Sequence, residues 1–352
     1  MFAGERHEMI LREVRERGSV RLAVLAEQFG VSMVTLRRDV EVLAAQGLVT
    51  RVHGGITRAE PKPPPTAAPA PAAPAGHPRV IGMVVPTATY YYPAVIKGAR
   101  EQAERHGARV VLGVSRYDDE EARARVDQLV HSGAEGLLLT PSRQPDARHE
   151  RWLTTLPRPA VMVERQTELG RSASRLDSVA SHHAHGGFLA AQHLAELGHR
   201  RLVAATRPSP NTQSVRQGFL AAVRELGLEE PVRMDIDLDG PTAEQCAQIL
   251  TAWKDGATGM LVHNDSDALV LAQYLRAAGV RLPEEMSLVA YDDEVAALGD
   301  PPLTTVAPPK EAVGRRAVDV LVRRLAEGPE APAEHTVLLP ELEMRSSTAP
   351  PR

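Results

Sequence analysis

From residue 79 onward, short aliphatic runs alternate with longer amphipathic segments. RVIGMVVP (79–86), ARVVLGVS (108–115), EGLLLTP (135–141) and PAVMVER (159–165) carry little polar alternation. Strands buried on both faces of a sheet read this way. YPAVIKGAREQAERHG (92–107) and EARARVDQLVHSG (121–133) have helical spacing instead. The alternation resumes with RLVAAT, VRQGFLAAVRELG, ATGMLVHN, DALVLAQYLRAAG, MSLVAYDD and PKEAVGRRAVDVLVRRLAEG, between 201 and 328. Strand-helix alternation of this length predicts α/β architecture, with parallel sheets covered by helices on both faces. The strands suffice for two such sheets.

The first 58 residues follow another rhythm. ERHEMILREVRERG places Met9, Ile10 and Val14 on one helical face, and Gly18 ends it. VRLAVLAEQFG predicts a second, short helix with Leu22, Leu25, Ala26 and Phe29 as its apolar stripe, and Gly30 turns the chain. Ser32 suits the N-cap of a third helix, on which Leu36, Val40 and Leu43 recur at core spacing. At about 100° per residue, Val34 and Arg38 then point outward, flanked by Thr35 and Arg37. GLVTRVHGG predicts a strand, a glycine turn and a returning strand, with Arg51 and His53 near the tip.

Between the two regions lies PKPPPTAAPAPAAPAGHP, residues 61–78. A Pro/Ala segment cannot bury enough apolar surface to fold, and at about 3.1 Å per residue it spans roughly 50 Å. The pattern predicts a small module at 1–58, a linker at 59–78 and a large module at 79–348.

Composition adds exclusions. The 352 residues are 43% hydrophobic and 24% charged, ordinary for a globular protein, while aromatics are only 3%. Cys246, the single cysteine, excludes an internal disulfide and a Cys-rich zinc site, and its place in TAEQCAQILTAW is that of a core residue. No apolar run approaches the roughly 20 residues of a membrane span, and charges interrupt the first residues where a signal peptide needs apolar ones. A soluble, cytoplasmic protein is expected. The net charge of -4 conceals a local excess of base: residues 1–58 hold nine Arg against seven acids. A helix offering hydroxyls and guanidiniums on its exposed N-terminal half suits a DNA groove.

The stretches LAEQFGVS, TLRRDV and GLVTRVHGG, with their spacing, resemble the winged helix-turn-helix of DeoR-family bacterial regulators. The resemblance implies DNA-binding roles for Ser32, Thr35, Arg37, Arg38, Arg51 and His53. Asp39, nearer the core side, is expected to be structural. The large module resembles the effector domain of the LacI/GalR family, through LDSVASHHAHGGFLAAQHLAELGHRRLVAAT, LVHNDSDALVLAQYLRAAGVRLPEEMSLVAYDDE and LTTVAPPKEAVGRRAVDVLVRRL. That resemblance implies a periplasmic-binding-protein-like type I fold of two doubly wound subdomains. They are expected at about 79–176 with 307–334, and about 177–306 with 335–348, the chain crossing near Asp177, Val306 and His335.

Ligands of open α/β sheets sit beyond the C-terminal strand ends. Residues 87–92, Glu164, Asn264 with Asp265, and Asp292 fall there. Carboxylates and amides with few basic groups suit a neutral polyol, since carboxylates accept hydrogen bonds from adjacent hydroxyls. Tyr90, Tyr91 and Tyr92 are candidates for an apolar platform under a sugar ring. By position the resemblance makes Asp292 the cleft aspartate and Asn264 the cleft amide, with Tyr91 and Tyr92 where the family has aromatic or apolar contacts; Glu164 is a ligand candidate from its place at a strand end. One departure stands out. The family's ligand-binding arginine lies three residues before a Gly-aromatic pair, where QSVRQGF has Val215; Arg216 follows it and is a candidate in its stead.

SHHAHGG (181–187) holds His182, His183 and His185, expected at the start of an exposed helix, without a carboxylate at metal-ligand spacing. NDSD and YDDE are expected to bind ligand and, at Asp265, to cap a helix rather than to hold metal or cleave glycosides. Neither a metal nor a cofactor is expected, nor a catalytic constellation. The reading is therefore a DNA-binding transcription regulator, a repressor, controlled by a carbohydrate effector, acting on operator DNA as a homodimer. The alternatives are a cytosolic sugar-binding sensor acting through a protein partner, and an enzyme acting on the cleft ligand.

Overall fold

The computed structural model describes residues 9–10, 13–14, 17–29, 31, 33, 36, 39–40, 43, 49–52, 55–58, 78–142, 147–165 and 175–351. The chain divides into two units, Met1–Pro74 and Ala75–Arg352. Except for Pro78, the linker expected at 59–78 lies outside the described residues.

The first unit contains β1 (Ser19–Arg21), α1 (Leu22–Phe29), β2 (Val49–Val52) and β3 (Gly55–Arg58). The strands pair antiparallel in the order β1-β3-β2. Helical backbone also occurs at 9–10, 13–14 and 17, and at 33, 36, 39–40 and 43. Gly18 ends the first of these segments at φ +71°, its N–H bonded to Val14 O at 3.0 Å. Ile10, Val14, Leu25, Phe29, Leu36, Val40, Leu43 and Ile56 form one buried core. Asp39 is buried too. One expectation changes: VRLAVLAEQFG is not helical from its start. Val20 pairs with Ile56, so the segment opens as an edge strand and turns helical at Leu22.

The second unit begins with β4 (Arg79–Val85), α2 (Tyr92–Arg105), β5 (Ala108–Val114), α3 (Asp119–His131), β6 (Gly136–Leu139), α4 (Ala147–Thr154), β7 (Ala160–Val163) and β8 (Asp177–Ser181). It continues through α5 (His183–Glu196), β9 (Leu202–Thr206), α6 (Thr212–Glu225), β10 (Val232–Asp235), α7 (Ala243–Lys254), β11 (Gly259–His263), α8 (Asp265–Ala277) and β12 (Ser287–Tyr291). The last elements are β13 (Thr304–Ala307), α9 (Lys310–Glu327), β14 (His335–Leu338) and β15 (Glu341–Glu343). Two six-stranded sheets result, in the orders β14-β8-β7-β6-β4-β5 and β10-β9-β11-β12-β13-β15. All pairs are parallel except β13 with β15.

Each sheet winds both ways from its first strand. The strand order reverses between β4 and β6 in one sheet, and between β9 and β11 in the other. Such switch points open crevices at the C-terminal strand ends. The chain leaves the first sheet after Ser181, returns through α9 after Ala307, and leaves again after Leu338. The outer crossings thus lie a few residues beyond Asp177 and His335, because β8 and β14 still pair within the first sheet. Asp177 is an anchor there rather than a hinge. Its carboxylate accepts from Arg324 Nε at 2.7 Å and Nη2 at 3.0 Å, and from the Glu334 N–H at 2.7 Å.

A close helix pair buttresses each sheet. A Cβ at Gly98 on α2 would lie 2.0 Å from Glu311 O on α9, and one at Gly314 on α9 would lie 2.0 Å from Val95 O. In the other subdomain a Cβ at Gly187 on α5 would lie 2.0 Å from Val215 O, and one at Gly218 on α6 would lie 1.7 Å from Ala184 O. The backbones therefore approach more closely than side chains allow. Gly218→Ala and Gly314→Ala are each expected to cost about 3 kcal/mol, the upper range for overpacking, because rigid backbone must move. Urea unfolding of the variants checks this; an unchanged midpoint contradicts the packing described.

Candidate ligand-binding cleft

The DNA-facing candidates Ser32, Thr35, Arg37, Arg38 and His53 lie outside the described residues. Arg51 belongs to β2, where it pairs with Ile56, and its side chain is likewise outside them. The described chemistry lies in the second unit.

Among the described residues, the non-glycines at positive φ are Tyr90 (55°), Arg116 (51°), Tyr117 (64°), Glu164 (55°), Asp292 (92°) and Asp293 (54°). All follow the C-terminal ends of strands: β4, β5, β7 or β12. Left-handed backbone costs L-residues energy and gathers where a side chain must be aimed at a site. Of the sequence candidates, Tyr90, Glu164 and Asp292 are in this set.

Glu164 is fully enclosed. Its Oε1 accepts from the Tyr91 hydroxyl at 2.7 Å and from Ser181 Oγ at 3.0 Å, and its Oε2 from the Ser181 N–H at 3.1 Å. His183 Nε2 lies 3.6 Å from Oε2. Burial pushes the carboxyl up, but His183, the Ser181 N–H and the Tyr91 hydroxyl together hold it below the ordinary range. Glu164 thus remains a carboxylate, tied to the second subdomain at the first crossing.

Asp292 behaves oppositely. Burial and the neighbouring charge of Asp265 push its carboxyl up to about 7, against the pull of Lys310 and of the Tyr90 hydroxyl. Lys310, first residue of α9, donates to Asp292 O and to Glu294 Oε1, and its Nζ stands 5.4 Å from the Tyr91 ring centre. The Tyr90 hydroxyl donates to Asp265 Oδ1 across the cleft. Asp265 Oδ2 accepts the N–H groups of Glu294 (2.6 Å), Val295 (2.7 Å) and Ala296 (3.1 Å).

Several expectations need correction. Asp265 does not cap α8; it gathers the loop after β12, and Asn264 caps the helix by accepting the Asp267 N–H at 3.2 Å. The rings of Tyr91 and Tyr92 do not form an exposed platform. Both are buried in the core of the first subdomain, and Arg165 Nη2 reaches the Tyr92 hydroxyl at 3.5 Å. α5 does not begin exposed: His183 is buried, with Nδ1 3.2 Å from the Tyr291 hydroxyl, while His182 caps α5 by accepting the His185 N–H at 3.0 Å. Val215 is wholly buried, as its core-facing place on α6 requires. Arg216 turns toward β9 and β10, with Nε donating to Thr206 Oγ1 at 2.7 Å and Nη2 to the Asp235 carboxylate.

The raised carboxyl of Asp292 has a thermodynamic consequence. A folded-state pKa above the unfolded value favours folding at low pH, and that contribution is lost as pH rises through about 7. Asp292→Asn removes the loss. The difference in Tm between variant and parent is expected to grow in the variant's favour between about pH 4 and 7 and to level off above that, and calorimetry across the range checks it. A difference independent of pH contradicts the burial described.

Residues 6–62 match the DeoR-like helix-turn-helix domain family, and residues 191–348 match the periplasmic binding protein-like domain family. The chain is 26% identical over 342 residues to the arabinose metabolism transcriptional repressor of Geobacillus stearothermophilus, covering 92% of this chain and 89% of that protein. It is 28% identical over 277 residues to the ribose operon repressor of Escherichia coli K12, covering 76% of this chain and 81% of that one. A crystal structure of a LacI family transcriptional regulator from Enterococcus faecium with bound ribose superposes with a TM-score of 0.62 at 25% identity, covering 77% of this chain and 99% of that one. The chain thus carries a match to the DeoR-like helix-turn-helix domain ahead of one to the periplasmic binding protein-like domain, and its second unit resembles the fold of that LacI family regulator.

Proposed function

We propose that this chain is a transcription regulator, a repressor, whose DNA-binding module answers to a small neutral carbohydrate held between the two sheets of the second unit. The observation that carries the proposal is the union in one chain of a helix-turn-helix core with a cleft whose strand ends present Glu164, Asn264 and Asp292. The arabinose repressor of G. stearothermophilus supports it, since its similarity spans both parts.

Sugar hydroxyls suit Asp292. Its carboxyl is dry, and hydroxyl donors restore the ionised form that burial disfavours. Glu164 lies at the first crossing and Lys310 just after the second, so a ligand that rearranges either group bears directly on the angle between the subdomains. We propose no catalytic role for the cleft. Among the described residues no helix is long and apolar enough to cross a membrane, and we place the protein in the cytoplasm. Operator half-sites related by a two-fold axis call for a homodimer.

On the third helical segment, Ser32, Thr35, Arg37 and Arg38 are assigned to DNA, with Arg51 and His53 of the wing. The buried stripe of Leu36, Val40 and Leu43 supports this, because it matches the helical spacing from which the sequence expectation for these residues was drawn. Fluorescence anisotropy with labelled DNA from beside the protein's own gene tests the assignment. Arg37→Ala and Arg38→Ala are each expected to weaken binding roughly tenfold or more, as loss of a charged base or phosphate contact does. Undiminished binding by the double variant overturns the DNA assignment and favours a sugar sensor that acts through a protein partner.

A further inference from the structure

The second sheet reverses its strand order between β9 and β11, and Arg207, His263 and Asp267, the last from the NDSD stretch, lie there. Arg207 follows β9 directly, and its N–H donates to His263 O at 3.1 Å. His263 ends β11, in register with Thr206. Asp267 lies in the first turn of α8, with Oδ2 3.4 Å from Arg207 Nε. Arg207 also donates through Nη2 to Leu238 O, which holds its guanidinium against the loop after β10.

Two polar atoms of this cluster lack a hydrogen-bond partner. They are Asp267 Oδ2 and His263 Nδ1, on residues only 4% exposed. Buried polar atoms are nearly always satisfied, so two unbonded ones at the same switch point mark a place where a polar ligand completes the set. The cluster faces the opposite subdomain: the charge of Arg207 reaches Tyr117, which follows β5 at positive φ and keeps more than half its surface exposed. Burial and the nearby charges of His183, Arg207 and Arg216 push the His263 imidazole down to about 3, so its ring is neutral near pH 7.

Resting on the sugar reading above, we infer that Arg207, Asp267 and His263 form a specificity subsite for adjacent hydroxyls of a neutral sugar. Arg207 supplies a guanidinium there, paired with Asp267. Its donors face one hydroxyl oxygen, and Asp267 Oδ2 accepts from the neighbouring hydroxyl. Asp267 also sets the ligand class. An arginine already balanced by a carboxylate offers no net charge to a phosphate or an acid, whereas the pair presents donor and acceptor side by side. Val215 cannot take part, being packed in the core against Gly187. Arg216 is directed to Thr206 and Asp235.

Calorimetric titration of the full chain with D-ribose, L-arabinose, D-glucose, D-ribose 5-phosphate and D-gluconate tests this. At least one neutral sugar is expected to bind. Arg207→Met and Asp267→Asn should each weaken it roughly tenfold or more, and the double variant should lose little beyond either single one, because the two side chains act as a pair. Asp267→Asn should also cease to distinguish that sugar from one of its monodeoxy counterparts. Arg201→Met, at the far end of β9 in an exposed pair with Glu229, should bind as the parent does. Parental melting temperatures in the variants separate lost contacts from lost structure. Unchanged sugar binding by both site variants overturns the subsite and leaves the proposed function standing, as does a loss caused by Arg216→Met alone. Tighter binding of the phosphate or the gluconate that depends on Arg207 overturns the neutral ligand class. Failure of every neutral sugar to bind removes the sugar reading and the subsite with it.

Discussion

Carboxylates held away from water at the ends of parallel strands are the constraint on which the second unit depends. Water is excluded from Glu164, Asp265 and Asp292. An enclosed charge is tolerated only where hydrogen-bond donors or opposite charge surround it. Three solutions occur side by side. Glu164 collects hydroxyl and backbone donors, Asp265 collects three consecutive N–H groups and a phenol, and Asp292 is left with a carboxyl that titrates near 7. On the proposed function, the third is the one that a ligand's hydroxyls would stabilise.

The architecture follows from that requirement. Parallel pairing brings the C-terminal strand ends of each sheet to one edge, and left-handed backbone at Tyr90, Glu164 and Asp292 aims their side chains. The glycine-mediated helix pairs α2–α9 and α5–α6 hold each sheet stiff behind its loops. Contacts between the subdomains are polar and concentrated near the crossings: Lys310 with Glu294, His183 beside Glu164, and Tyr90 with Asp265. On the proposed function, those groups join cleft chemistry to subdomain angle, because each belongs at once to the site and to the hinge region.

Much of this was legible in the sequence. Aliphatic runs located the central strands, and the 3.6-residue spacing of Leu36, Val40 and Leu43 located a buried stripe. The rule that ligands lie past strand ends selected Glu164 and Asp292. Applied evenly, it would also have selected Arg207, which follows RLVAAT as directly as Glu164 follows PAVMV. Asp267 lay within the NDSD stretch already expected to bind ligand, but its pairing with Arg207 depends on β9 and β11 being neighbours, which no local pattern records. The strand β1 was hidden by the helix propensity of the residues after it, and only its pairing with β3 reveals it. Tyr91 and Tyr92 misled because an aromatic in a cleft motif can serve by its hydroxyl while its ring fills the core.

The central claim is that a sugar bound by the cleft carboxylates changes the chain's hold on DNA. Linkage makes this directly measurable, because a ligand that alters DNA affinity must have its own affinity altered by DNA to the same degree. The decisive measurement is the affinity of the full chain for its operator, by anisotropy, with and without a saturating neutral sugar, in the parent and in Asp292→Asn. The account predicts a shift of roughly fivefold or more in the parent and none in the variant. A parent whose operator affinity ignores a sugar it demonstrably binds, or a variant that responds equally, would contradict it.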